Sequence, residues 1–162
     1  MGVTVEVSGA VIQSIKGNVK TLQSEIEIDA SPSRVWAILS DFPAYPQWNP
    51  FIKHIQGDAT PGTQLKVRIE PPGAKGMTFH PTVLAATPDK ELRWLGHLLV
   101  PRVFDGEHQL LITQLPDQRV RFMQREVFRG VLVPFTAGML SKTEQGFVAM
   151  NEALRKRAEE PA

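Results

Sequence analysis

Residues 26–52 read IEIDASPSRVWAILSDFPAYPQWNPFI, and three structural signals follow one another within them. The first isoleucines end an alternation that begins at Thr21 (TLQSEIEIDA), with Leu22, Ile26 and Ile28 on one face and Glu25 and Glu27 on the other. A period of two marks a strand with one buried face. Ser31-Pro32 then starts a helix, because Ser accepts a capping hydrogen bond and Pro already has the φ of a first helical residue. Val35, Trp36, Ile38 and Leu39 give that helix its apolar side, and it is expected to stop before Pro43. From Ser40 to Ile52, three prolines and four aromatic residues fall within thirteen positions. So much proline argues against a helix or interior strand, and so much aromatic surface against a solvated loop. Core packing, a lid over a pocket and a surface for a partner all stay open for this stretch.

Downstream the chain turns to strands. FIKHIQG is short, and TQLKVRIEP sets Leu65, Val67 and Ile69 against Lys66 and Arg68. GMTFHPTVLAATP, ELRWLGHLL, FDGEHQLLITQL and QRVRFMQREVF follow, separated by Pro, Asp and Gly. Their short connections leave no room for crossover helices, so neighbours are antiparallel. The last segment differs. Phe135, Met139, Leu140, Phe147, Met150 and Leu154 recur at helical spacing, opposite Lys142, Glu144, Glu152, Arg155 and Lys156. A helix of about twenty residues is predicted, with Gly138 and Gly146 either weakening it or letting it approach the sheet. A single long helix must cover one face of the sheet, and a sheet curved around it leaves space for a ligand.

Upstream, VTVEV (residues 3–7) alternates like a short strand, while SGAVIQSIKGNVK carries no decisive pattern. Residues 1–20 are set apart as an N-terminal extension without an assigned role, and 21–158 as one ligand-binding domain. At 162 residues, a single domain with a proper core is the simplest reading. The net charge of +1 gives no electrostatic case for nucleic acid or an anionic membrane. Cysteine is absent, which removes disulfides, thiolate metal sites and a cysteine nucleophile, and fits a reducing compartment. No apolar run is long enough to span a bilayer, and the start lacks the features of a signal peptide. A soluble, cytoplasmic protein without stable membrane insertion is the expectation.

Hairpin registers assign the inward side chains. A two-residue turn at Pro88-Asp89 sets Phe79 opposite Leu98, Val83 opposite Trp94 and Ala85 opposite Leu92, all apolar. It also sets His80 opposite His97 on the other face, but two histidines without a third ligand make a poor metal site, and no metal or cofactor is expected. A three-residue loop at Pro116-Asp117-Gln118 sets Ile112 opposite Phe122, Leu110 opposite Gln124 and His108 opposite Glu126. This register separates polar from apolar faces best, and it turns His108, Gln124 and Glu126 into a greasy interior. Buried polar groups need partners. The His108/Glu126 pair is therefore either an acid–base pair or ligand anchor, or a satisfied structural pair. No G-x-S-x-G, phosphate-cradling loop or H-E-x-x-H occurs.

These stretches resemble the SRPBCC superfamily, the START-like or polyketide cyclase/dehydrase-like proteins. The resemblance rests on Ala30-Ser31-Pro32, Val35-Trp36, Asp41-Phe42 and Trp48-Asn49-Pro50, and continues through LRWLGHL, FDGEHQLLI and REVFRGVLVPF. It implies an α+β helix-grip fold: a curved seven-stranded antiparallel sheet around one long C-terminal helix, with short helices between the first two strands of the match. It also implies a cavity for a small hydrophobic ligand such as a lipid, polyketide, quinone or sterol-like molecule. The expected lining is Trp48, Phe79, Trp94, Leu110, Phe122, Gln124, Met139, Leu140 and Phe147, with His108 and Glu126 as polar anchors. Two other functions stand beside binding. One is a cyclase or dehydratase in which His108 moves a proton under the influence of Glu126, and whether the chain is an enzyme stays open. The other is a protein-interaction or chaperone-activator-like module that docks a partner on exposed Phe42, Tyr45 and Trp48. Fold alone does not choose among them.

Overall fold

The computed structural model describes residues 11–98 and 100–161. Strands β1 (Val11–Lys16) and β2 (Val19–Ile28) form a hairpin, so the undecided stretch before Lys20 supplies an edge strand. The alternation predicted at residues 3–7 lies outside the described residues. Along β2, Leu22, Ile26 and Ile28 are buried as expected, and Lys20 and Ser24 share their face. Helix α1 (Pro32–Ser40) begins where Ser31-Pro32 places it: Ser31 Oγ accepts from the Arg34 amide at 3.2 Å.

The proline-rich stretch is helical after all, in two short pieces. A 3₁₀ turn (Phe42–Ala44) is followed by α2 (Tyr45–Trp48), and Pro43 and Pro46 each sit in a first turn. There a missing N–H costs nothing, which the count of prolines alone could not show. Phe42 and Tyr45 meet edge to face at 5.7 Å, and Tyr45 meets Trp48 at 5.0 Å. Phe42 and Tyr45 are buried, and Tyr45 Oη donates to the Leu39 carbonyl at 2.7 Å. The stretch is core, and the exposed aromatic patch expected of a partner-docking module does not form there. Asn49 Oδ1 then accepts from the amides of Phe51 and Ile52 at 2.9 and 2.8 Å, turning the chain into the next strand.

The remaining strands are β3 (Ile52–Gln56), β4 (Lys66–Ile69), β5 (Met77–Phe79), β6 (Thr82–Thr87), β7 (Glu91–Leu98), β8 (Phe104–Leu115) and β9 (Arg119–Arg129). Among the described residues they form an antiparallel six-stranded sheet ordered β1-β2-β9-β8-β7-β6 and a three-stranded sheet ordered β3-β4-β5. The continuous seven-stranded sheet is thus modified in two places. β1 adds an edge, and GMTFHPTVLAATP breaks into β5 and β6 at His80-Pro81, where proline has no N–H for a ladder. The two sheets remain stitched by the Leu65 amide on the Pro81 carbonyl (2.8 Å) and the Val83 amide on the Thr63 carbonyl (2.9 Å).

Val83 faces Trp94 as predicted, but a register shift between Val83 and Ala85 places Ala85 opposite Arg93 and Ala86 opposite Leu92. Thr87 pairs with Glu91, so the turn holds three residues rather than two. Phe79 lies on β5 opposite Val67, not opposite Leu98, and His80 falls outside the strands. His97 instead pairs across β7 and β8 with Asp105. The β8–β9 hairpin has the predicted register throughout, including His108 opposite Glu126.

Helix α3 (Ala137–Glu159) lies on the inner face, burying Leu140, Phe147, Met150 and Leu154. Burying each such side chain contributes about 1.5–3 kcal/mol. Phe135 belongs to a preceding 3₁₀ turn (Val133–Phe135), not to the helix. Gly146 is where helix and sheet approach: a Cβ there would enter the Phe51 ring, whereas one on Gly138 would meet open space. A polar clamp holds the helix to the sheet. Gln124 Nε2 donates to Asn151 Oδ1 (2.7 Å), and Asn151 Nδ2 donates to Ser24 Oγ (3.0 Å).

Candidate functional site

The inner face of the six-stranded sheet has a filled half and an open half. In the filled half Leu92, Trp94, Leu110, Ile112 and Phe122 share one buried core with Leu39 of α1 and Phe147 of α3, and His108 joins them. Its ring stacks on Trp94 with centroids 5.1 Å apart and meets Phe147 edge-on at 5.4 Å. Two residues further along each strand the inward positions are Gly96 on β7 and Gly106 on β8, which pair directly. Neither has a side chain, and the interior opens there.

The result is a cavity of about 340 Å³ between the sheets and the N-terminal half of α3. Phe51, Ile69, Phe79, Phe104, Phe128 and Met139 make its walls apolar, over a floor at Gly96 and Gly106. That volume is at the small end of the range for cavities that enclose organic ligands. Ala74, Lys75, Met77, Gly138 and Lys142 line it and are exposed, so they mark its mouth. Lys142 Nζ donates to the Gly73 carbonyl at 2.7 Å, tying the β4–β5 connection to α3.

One carboxylate reaches the wall. Glu126 is buried, and its Oε2 lies 2.8 Å from His108 Nδ1. An Nδ1–H donated to that oxygen fixes the orientation of the carboxyl group. Oε1 lies over Gly106, 2.8 Å from where a Cβ would stand. His108 itself does not line the cavity, and its Nε2 is buried without a partner. The sequence register thus brought the pair together, while packing gave the two residues different places.

At the mouth, His97 Nδ1 lies 2.7 Å from Asp105 Oδ1, and the Arg102 amide donates to both carboxylate oxygens of Asp105. Desolvation would raise the Asp105 carboxyl, but the hydrogen bonds from His97 and the Arg102 amide outweigh it and hold it below its ordinary value. Tyr45, buried and close to Asp41, is pushed well above the ordinary tyrosine value. Among the described residues no three metal-ligating side chains cluster, and no helix is long and apolar enough to cross a membrane.

Of the residues expected to line a site, Phe79, Met139 and Glu126 border the cavity. Trp94, Leu110, Phe122, Leu140 and Phe147 are core beneath it, and Gln124 is committed to the clamp on α3. Trp48 borders a separate hollow with Arg34, Asp41 and Arg157. Phe51, Phe104, Phe128, Lys75 and Lys142 also line the cavity, and no pattern in the sequence marks them for it. The signal for the floor was present in the alternation: the inward set of ELRWLGHL and FDGEHQLLI contains a glycine in each strand. A gap in an apolar face is as informative as the face itself.

Known proteins of the same architecture are numerous. A START superfamily protein from Mycobacterium smegmatis superposes with a TM-score of 0.68 at 22% identity, covering 86% of this chain and 97% of that one. The Zhui aromatase/cyclase from Streptomyces sp. R1128 gives 0.72 at 16% identity, over 87% of this chain and 94% of that one. A protein from Arthrobacter aurescens gives 0.71 at 16% identity, over 96% and 94%. At such identities the likeness establishes the fold, and curated proteins offer no match to the sequence. Residues 20–159, from the start of β2 to the end of α3, match the family described as polyketide cyclase / dehydrase and lipid transport, and the chain belongs to that family.

Proposed function

We propose that the protein binds a hydrophobic or amphipathic small molecule, lipid-like, polyketide-like or quinone-like, in the cavity between the sheets and α3. The observation that carries this reading is one oriented carboxylate in a mostly apolar wall: Glu126 Oε1 faces the space over Gly106 while Oε2 is held by His108. Apolar walls supply affinity through burial, and a single fixed acceptor selects a ligand with a hydroxyl or other donor at that depth. A thermal-shift screen against fatty acids, isoprenoid quinones and aromatic polyketides tests it. A ligand at a hundred times its Kd stabilises the fold by about 2.7 kcal/mol, and Glu126→Gln should reduce the response to donor-bearing compounds. If no compound raises the melting temperature, the reading fails.

A second reading, a cyclase or dehydratase, is favoured by the same pair. In it Glu126 takes a proton from the carbon beside a ligand carbonyl, the freed electron pair forms a C=C bond as the β C–O bond breaks, and the hydroxyl leaves as water with the proton that Glu126 returns. His108 positions Glu126 by the Nδ1 hydrogen bond. This exchanges the roles expected from the sequence, because only Glu126 borders the cavity. Turnover of a β-hydroxyketone probe that Glu126→Gln leaves unchanged would remove this reading.

A further inference from the structure

Six large apolar side chains are exposed among the described residues: Met77, Leu84, Val100, Val131, Leu132 and Phe135. Five of them stand in or beside three connections, β4–β5, β7–β8 and β9–α3, and only Leu84 lies elsewhere, on β6. Phe135 is 83% exposed, Val131 59% and Val100 56%, so these are side chains held in water rather than the edges of core residues.

The three connections form one rim. The Val131 amide donates to the Arg102 carbonyl (3.3 Å) and the Leu132 amide to the Val103 carbonyl (3.1 Å), binding the second connection to the third. Lys142 Nζ on the Gly73 carbonyl binds the first to α3. Ala74, Met77, Phe104 and Gly138, at the ends of these connections, line the cavity, so the rim surrounds its mouth. Gly130, with φ of +134°, lets the third connection lie close on the Val103 carbonyl.

The rim also carries an excess of cations. Segments 70–76, 100–103 and 130–136 contain Lys75 and Arg102 and one acid, Glu70, which lies 3.6 Å from Arg68, and exposed Lys142 stands beside them. Asp105, at the foot of β8, already accepts from the Arg102 amide and pairs with His97. The whole-chain charge of +1 conceals this local concentration. Protruding apolar side chains among cations match the interface of an anionic bilayer. A second copy fits poorly, because a two-fold contact would bring Lys75, Arg102 and Lys142 against their own images.

We propose that this rim is a peripheral docking surface for an anionic lipid membrane, with Phe135, Val131 and Val100 entering the headgroup region and Lys75, Arg102 and Lys142 facing the phosphates. The cavity mouth then faces the lipid. The surface stands apart from the ligand reading, since docking needs no occupant in the cavity.

Vesicle flotation with the full chain tests it, using phosphatidylcholine alone and phosphatidylcholine with about one part in three phosphatidylglycerol. The expected result is binding to the anionic vesicles only, weakening as salt is raised. Phe135→Ser combined with Val131→Ser should lower the bound fraction about tenfold, as should Lys75→Glu combined with Arg102→Glu, with unchanged circular dichroism. Absence of binding to anionic vesicles at low salt overturns the proposal. Equal binding by the serine variant also overturns it, as does a concentration-dependent dimer in sedimentation that Phe135→Ser abolishes.

Discussion

Gly96 and Gly106 stand opposite each other on β7 and β8, and the cavity lies over that pair. One step further into the sheet, the directly paired Trp94 and His108 fill the same layer with stacked rings. The boundary between core and cavity is therefore drawn by two residues that have no side chains.

Restoring a side chain there should close the site. Gly106→Ala places a methyl group 2.8 Å from Glu126 Oε1, a flexible carboxylate end that can swing away. The fold should lose no more than about 1 kcal/mol by urea denaturation. The ligand-induced rise in melting temperature should fall sharply. An unchanged ligand response would show that Glu126 Oε1 is not the anchor.

His108 and Glu126 should separate in their effects, because one is core and the other wall. His108→Ala leaves a hole against Trp94 and Phe147 and takes the partner from a buried carboxylate. A loss of about 2–4 kcal/mol in chemical denaturation is expected. Glu126→Gln keeps the shape and a hydrogen-bonding atom near Nδ1, and its loss should be about 1 kcal/mol or less.

Gly146→Ala reverses the usual helix rule. Alanine gains about 1 kcal/mol of helix propensity over glycine. Its Cβ, however, would enter the ring of Phe51, which is fully buried and packs edge to face on Phe147 at 5.8 Å. Overpacking of this kind costs about 1–3 kcal/mol, so net destabilisation should appear as a lower melting temperature. A stabilised Gly146→Ala protein would show that α3 can move off the sheet freely.

Asp105 gives the fold an acid-dependent contribution. Its folded carboxyl sits below the ordinary value of about 4, although desolvation opposes this, because His97 and the Arg102 amide favour the charged form. A lowered folded value adds stability that is present above the unfolded value and is lost as pH falls through the folded one. Asp105→Asn should therefore lower stability at neutral pH and flatten its decline below about pH 4. Parallel acid-denaturation curves for the two proteins would contradict the assignment.

The sequence by itself determined β2, the α1 start at Ser31-Pro32, the β8–β9 register and the long helix. Each is written in a local period or in turn chemistry, and a period of two assigns faces without knowledge of neighbours. The His108–Glu126 pairing was legible for that reason. The tertiary structure decided the break at His80-Pro81 and the shift after Val83, where a single residue changes the ladder without changing the apolar pattern. It also decided which inward residues are wall and which are core. Alternation assigns a side chain to the inner face, but whether space remains above it depends on side-chain volumes from β7, β8, β9 and α3 meeting at one point. The proline-rich stretch shows both sides. Its aromatic residues argued against a solvated loop but left core, lid and partner surface open, and the tertiary structure decided for core, with Pro43 and Pro46 in the first turns of short helices.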